Sequence, residues 1–488
     1  MVRISALTSA LAMWAATAAA APPCSSRSTE EKAATPQTPV APSSVTSSAN
    51  PIGTAPPTTK SGSSGGRYIM YFDQWHTAVL PNKTMTAGIT HVITAFANSS
   101  LFTTDPVGEY TPFMELDKVR ALFDENVKVS MAIGGWGDNA GFRLGARSAE
   151  SRALYAKNIA ATIEKLGYDG VDMDWEYPVS NGADYKQVPN DESEIETYPL
   201  LLAEIKKAIG EKELSIAVPA LERDMLAYTP AKVPEIDAAV DYVNVMTYDL
   251  INRRDTASKH HTDIKGSLAA IDAYIQRGFQ PAKLTLGIAF YAKYFTLQDA
   301  KSCTEPIGCP LAPAEFENGT DANNSGALTF EASSFPVVVH TSNLKPSTDG
   351  SCGGSTGFTC EGTTWGTCCS KWGFCGITAD HCGTDCQPSF GTCTASDAPA
   401  VKPLADSFKE AFDNGVEDVE NGGQWYVDTE SSRFWTWDTP ALVQRKFTEI
   451  IAARGLGGIM AWSMAEDSYD WRLLAAMQEG VKNMGSAN

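Results

Sequence analysis

Residues 169–178 read Asp169-Gly170-Val171-Asp172-Met173-Asp174-Trp175-Glu176-Tyr177-Pro178. Side chains alternate along a strand, so as a buried strand this run sends Asp172, Asp174 and Glu176 to one face and Val171, Met173 and Trp175 to the other. Alternate positions stand roughly 6.6 Å apart, and three like charges confined at that spacing resist ionising together. At least one must hold its proton above the ordinary carboxyl range. A carboxyl kept protonated near neutrality is what general acid catalysis requires. A solvated acidic edge would account for the charges but not for the apolar opposite face or for the helical pattern that leads into it. That pattern, Glu150 to Leu166 with apolar Leu154, Ile159, Ile163 and Leu166, ends at Gly167, a C-terminal capping residue.

Working outward, β-rich runs occur at 67–72, 91–96 and 127–133 before the acidic strand, and at 214–218, 242–247, 284–290 and 458–463 after it. Helical patterns alternate with them, at about 196–209 and 268–277, and from Thr439-Pro440 to Arg454, where Gly455 stops the helix. Eight strands with intervening helices predict a parallel α/β fold. Periodicity alone does not separate a closed barrel from an open doubly wound sheet.

DGVDMDWE matches, position for position, the DxxDxDxE signature of glycoside hydrolase family 18, the chitinases and their relatives, and the chain resembles that family. The resemblance implies a (β/α)8 TIM barrel with the site at the C-terminal strand ends. By the same resemblance Glu176 is the acid, with Asp174 and Asp172 beside it. Asn244-Val245-Met246-Thr247-Tyr248-Asp249 is similar to the sixth-strand motif, which makes Tyr248 a catalytic residue and Met246 and Asp249 substrate contacts. Trp462 resembles the aromatic floor under the reacting sugar. Asp169, Tyr71, Trp136 and Tyr177 complete the substrate-binding set that it implies. Ala132-Ile133-Gly134-Gly135-Trp136 departs from the family's SxGG motif: Ala132 stands where Ser is usual, removing a hydroxyl that would support the acidic cluster.

Composition bounds the rest. The chain has 488 residues, 43% hydrophobic content and a formal charge of -20, which argues against nucleic acid or an anionic membrane as partner and suits a neutral polysaccharide. Residues 1–21 carry a single Arg3, an apolar stretch and an Ala-rich end, the pattern of a secretory signal peptide. Residues 22–66, almost all Ser, Thr, Pro, Ala and Gly, read as a disordered linker in which Cys24 sits alone. The catalytic barrel is expected over 67–480. Sequons begin at Asn82, Asn98, Asn318 and Asn323.

Eight of the eleven cysteines fall between Cys352 and Cys393. Such density in a secreted chain marks a disulfide-stapled module, here 349–394, inserted after the seventh strand. Spacing leaves the connectivity open. The segment resembles hevein-type chitin-binding modules, which implies the pairs Cys352–Cys369, Cys360–Cys375, Cys368–Cys382 and Cys386–Cys393. The same resemblance implies sugar contacts from Ser370, Trp372 and Phe374, with His381 where Tyr is common. Cys303 and Cys309 lie close enough to pair with each other. A zinc site is disfavoured there, since the module offers one His.

Together these readings predict a secreted, extracellular or cell-wall-associated monomer that acts on chitin and chitooligosaccharides, with no metal, cofactor, nucleic-acid or membrane partner. The resemblance implies retaining hydrolysis of β-1,4 bonds between N-acetylglucosamine units, with the substrate's own acetamido oxygen as nucleophile. Three rival readings share the fold. A chitin lectin would usually lack the acid that Glu176 supplies. An endo-β-N-acetylglucosaminidase acting on N-glycans would not need the cysteine-rich module, and a killer-toxin component would use it for delivery.

Overall fold

The computed structural model describes residues 66–336, 344–353, 356–370, 372–383, 386–393 and 402–486. The signal peptide, linker and Cys24 lie outside them. Seven strands, β1 (Arg67–Asp73), β2 (His91–Ala97), β3 (Lys128–Gly134), β4 (Gly170–Asp174), β5 (Glu213–Pro219), β6 (Tyr242–Met246) and β7 (Leu284–Ala289), pair in sequence order. The strand Gly458–Trp462 closes the sheet between β7 and β1, and every pairing in this barrel is parallel. All eight expected strands are present, and closure is settled in favour of the barrel.

Alternation divides each strand between two cores. Ile69, Tyr71, Ala132, Ala217, Tyr242 and Met246 belong to a cluster inside the barrel, whereas Met70, Phe72, Val171, Met173, Val243 and Val245 pack in the outer layer against the helices. The helix Ala149–Leu166 starts on a capping box in which Ser148 and Ser151 exchange hydrogen bonds, and ends at Gly167 with φ 82°. It leads into β4 as the pattern predicts. At the far end of β4, the Trp175 ring stacks on Phe142 (5.3 Å, 12°) and meets Tyr198 edge-on (5.5 Å, 87°). Full burial of so large a ring stabilises by roughly 2–3 kcal/mol, and it pins the residue immediately before Glu176.

Beyond β7 the chain does what the sequence reading did not foresee. After Phe290 it runs into β8 (Tyr291–Thr296) and β9 (Ser325–Thr329), and later forms β10 (Val416–Asp418), β11 (Gly423–Asp428) and β12 (Arg433–Trp437) before the closing strand, β13 (Gly458–Trp462). β8 to β12 make an antiparallel five-stranded sheet in the order β10-β11-β12-β8-β9. Along the sequence the cysteine-rich module departs after β9 and returns at the helix Leu404–Asn414. It therefore interrupts this inserted sheet rather than hanging directly from a barrel strand. The sheet escaped notice because the strand expected at 284–290 leaves 291–296 unassigned, and β8 finds its partner β12 about 140 residues later.

The two glycines after β3 explain how that strand meets the acidic one. Gly134 has φ 106°, and a Cβ there would stand 2.3 Å from the Asp174 carbonyl oxygen and 2.5 Å from the Phe142 ring. The Gly135 amide donates to the same carbonyl at 2.8 Å. We predict that Gly134→Ala pushes Asp174 out of place and, with Asp174 in the role that the family resemblance implies, lowers kcat/KM on the order of 10²-fold, since a misplacement of about 1 Å costs that much. Gly137→Ala, which shares a left-handed backbone (φ 91°) but has no atom nearer than 3.9 Å to a new Cβ, carries the backbone strain without the clash and is expected to cost less in the same assay.

Candidate active site

Asp172 lies deepest in the barrel and is completely buried. Its Oδ2 accepts from the Tyr71 hydroxyl at 2.8 Å, and its Oδ1 accepts from the Ser215 hydroxyl at 2.5 Å and from Asn244 Nδ2 at 3.3 Å. Asn244 is held in turn by a bond from Thr285 Oγ1 to its Oδ1 at 2.8 Å. Register explains the set: Ala132 and Ser215 flank Asp172 on the neighbouring strands β3 and β5. The hydroxyl absent at position 132 therefore has a counterpart on the opposite flank. Burial pushes the Asp172 carboxyl up to about 6, although all three donors pull it down.

Asp174, at the end of β4, is nearly as buried, and its Oδ1 has no hydrogen-bond partner. Burial, reinforced by the charges of Glu176 and Asp172, raises its carboxyl well above the usual range. Burial also pushes Glu176 up to about 8, with a smaller contribution from the Asp249 charge and a hydrogen bond from Tyr177 opposing it. The stack thus holds protons that isolated carboxyls would have lost near neutrality.

A cleft of about 760 Å³ opens above this stack and is lined by Asp174 and Glu176 together with Tyr71, Trp136, Tyr177, Met246, Tyr248, Asp249 and Trp462. Trp462 stacks on Phe96 (5.4 Å, 17°) and leans on Tyr71 (5.5 Å), forming a flat apolar floor. Trp136 stands 56% exposed at the rim, edge-on to Tyr177. The inserted sheet supplies the facing wall through Tyr291 and Lys293 of β8 and residues 325–327 of β9. The Tyr291 hydroxyl donates to Asp249 Oδ1 at 2.8 Å and Lys293 Nζ pairs with the same oxygen at 3.0 Å. The arrangement offers an acid, a neighbouring carboxyl with one unpaired oxygen, a tyrosine hydroxyl and an aromatic platform.

The structure brings nearly all of the expected site residues together, with Asp172 just beneath the cleft. Asp169 is a correction. It precedes β4, at the opposite end of a strand about 16 Å long, where its Oδ2 accepts from Arg120 Nη2 at 2.6 Å and from the Val129 amide at 2.8 Å. It braces the bottom of the barrel and meets no cleft. Sequence reasoning missed Ser215, Asn244, Trp75, Phe96, Tyr291 and Lys293. Ser215 and Asn244 carried a weak signal, as polar residues on otherwise apolar strands; the others carried none.

In the module all four expected pairs are formed, Cys352–Cys369, Cys360–Cys375, Cys368–Cys382 and Cys386–Cys393, as is Cys303–Cys309. Cys352, Cys360, Cys369 and Phe390 are its small core. Trp372 and Phe374 are 63% and 57% exposed. Ser370 is buried, and its Oγ accepts from the Phe374 amide at 3.2 Å, so it shapes the turn that carries the two aromatics. His381 is half-buried: its Nδ1 bonds Thr378 Oγ1 at 2.7 Å and its ring packs on Gly376. An exposed Trp365 was not anticipated.

Comparison with known proteins agrees with this geometry. The chain is 28% identical over 323 residues to Chitinase 1 of Aphanocladium album, covering 56% of this chain and 71% of that one. It is 32% identical over 197 residues to Sporulation-specific chitinase 2 of Saccharomyces cerevisiae, 36% of each chain; the match thus spans about a third of the yeast relative. Among solved structures, catalytic domain 2 of the Ostrinia furnacalis Group II chitinase superposes with a TM-score of 0.58 at 18% identity, covering 86% of this chain and 97% of that one. A Cycas revoluta GH18 chitinase double mutant in complex with (GlcNAc)4 superposes with a TM-score of 0.55, also at 18% identity, over 84% and 98%. These structures share its fold. Residues 67–467 match the family described as Glycosyl hydrolases family 18, and with the acidic stack at the mouth of its closed barrel the chain belongs to that family.

Proposed function

We propose that the chain is a secreted chitinase that cleaves β-1,4 bonds between N-acetylglucosamine units with retention, by substrate-assisted catalysis. The observation that carries this reading is the buried Asp174 oxygen that lacks a partner, set between a protonated acid and an aromatic floor. An acetamido N–H in the cleft would satisfy it. Glu176 donates its proton to the glycosidic oxygen, the bond from that oxygen to C1 breaks, and the acetamido carbonyl oxygen bonds C1 to give an oxazolinium ion. Asp174 orients the acetamido group and stabilises the cation, and Tyr248 holds the carbonyl oxygen. Glu176, now a carboxylate, takes a proton from the water that opens the ring. The relatives named chitinases, the intact acid and the module support chitin over the lectin and N-glycan readings. Extracellular action is supported by the five disulfides and by exposed asparagines at all four sequons. Among the described residues no helix is long and apolar enough to cross a membrane.

Glu176→Gln is expected to cut chitooligosaccharide turnover at least about 10²–10⁴-fold while leaving chitin binding intact; near wild-type turnover would overturn the acid assignment. The same variant should be more stable. An acid raised to about 8 on folding stabilises most below its unfolded value near 4.3 and loses that contribution as pH rises through 8, so the thermal-unfolding gain of Glu176→Gln should grow from pH 5 to pH 8.

For kcat/KM we expect a bell-shaped pH profile, falling above about 8 as Glu176 deprotonates and below about 6 as the aspartate pair gains its second proton. Ser215→Ala removes a donor that favours ionised Asp172, so its acidic limb should move to higher pH. A profile whose acidic limb does not move would show that the hydroxyl does not tune the pair.

Trp372→Ala with Phe374→Ala should weaken binding and hydrolysis of insoluble chitin yet leave turnover of a soluble trisaccharide within about twofold. Each aromatic contact is worth roughly 0.5–1.5 kcal/mol beyond its buried area and acts at high effective concentration only on a polymer. Parallel loss on both substrates by a folded variant would place these rings in the catalytic cleft instead.

A further inference from the structure

Asp73 ends β1, His76 follows three residues on, and Glu466 lies in the turn Met464–Asp467 just after β13. Because β1 and β13 are neighbours in the barrel, these residues converge from nearly 400 positions apart, and none of the three is among the residues that line the cleft. One ligand atom from each lies within 4.8 Å of the others. His76 Nδ1 is 2.9 and 3.0 Å from the two Asp73 oxygens and 3.7 Å from Glu466 Oε1. The other ring nitrogen, Nε2, faces Glu331 Oε2 at 3.4 Å.

Three features of this cluster go beyond a group of acidic side chains. The donor set is one imidazole nitrogen and two carboxylates, and the separations of 2.9 to 3.7 Å between Nδ1 and the carboxylate oxygens bracket the roughly 3.4 Å that bonds of about 2.0–2.2 Å in a tetrahedron require. A carboxylate on the far ring nitrogen is the usual support of a metal-bound histidine, since it fixes which nitrogen presents its lone pair. Asp73 is wholly buried and Glu466 nearly so; Glu466 Oε1 is the oxygen that faces His76, and its other oxygen, Oε2, is buried with no hydrogen-bond partner. A buried carboxylate oxygen left unpaired is costly, and a cation would remove the cost.

We propose that Asp73, His76 and Glu466, with Glu331 behind the imidazole, bind a divalent transition-metal ion of the zinc type at a structural site distinct from the catalytic centre. The ion would brace two elements of the cleft. Asp73 Oδ1 accepts from the amides of Trp75 and His76 at 2.8 and 3.1 Å, and Trp75 lines the cleft. Asp73 Oδ2 accepts from the hydroxyl of Ser463, the neighbour of Trp462. The site takes no part in the chemistry proposed above and does not depend on that reading. The competing account is an imidazolium that neutralises Asp73 with no metal.

The test is titration of chelator-treated, full-length protein with zinc chloride alone, followed by calorimetry and thermal unfolding. We expect one saturable equivalent, a melting temperature that rises with zinc, loss of both in His76→Gln, and binding weakened 10–100-fold in Glu331→Gln. Glu331 is partly exposed, so its variant keeps the test decisive if His76→Gln does not fold. Absence of a saturable equivalent in the wild type, wild-type affinity in a folded His76→Gln, or, where His76→Gln does not fold, wild-type affinity in Glu331→Gln would overturn the site and leave the imidazolium in its place.

Discussion

Carboxyl groups that share a buried barrel interior set the terms for the rest of this molecule. Asp172 is satisfied from three sides and still titrates high; Asp174 is left with an oxygen that nothing in the protein pairs. An arrangement of that kind works against stability, so it persists only where the surrounding fold over-determines it. The eight-stranded barrel does so by holding each strand between two others, which leaves β4 no freedom to turn its acidic face toward water.

Alternation is what lets one strand serve both purposes. The same residues that aim Asp172 and Asp174 inward aim Val171, Met173 and Trp175 into the helical layer, and the Phe142–Trp175–Tyr198 cluster anchors the strand end where Glu176 begins. Chemistry on one face is thus stabilised by burial on the other. The paired glycines at 134–135 allow β3 to approach the Asp174 carbonyl closely enough to hold it from the side.

The inserted antiparallel sheet gives the barrel mouth its depth. Without Tyr291 and Lys293, Asp249 would have neither its hydroxyl donor nor its cation, and the cleft would lose part of its lining. The module between β9 and the helix Leu404–Asn414 has only a small core and relies on disulfides to hold it, with Trp372 and Phe374 exposed.

By itself the sequence determined the eight strand positions, the acidic stack and the cysteine-rich module, because period-two alternation, helix caps and cysteine density are local patterns that survive in one dimension. The family resemblance marked Met246, Tyr248 and Trp462 as well, at the ends of the sixth and last barrel strands. What tertiary structure alone decided are the partners that come from other strands. Ser215 and Asn244 reach Asp172 only because β5 and β6 follow β4 round the barrel, in a register that no local pattern encodes. Asp169 looked like part of the same motif as Glu176, yet a strand's length carries it to the far end of the barrel. The five-stranded sheet was hidden for the same reason: its central pairing joins segments about 140 residues apart, and long-range pairing leaves no periodic trace in either segment.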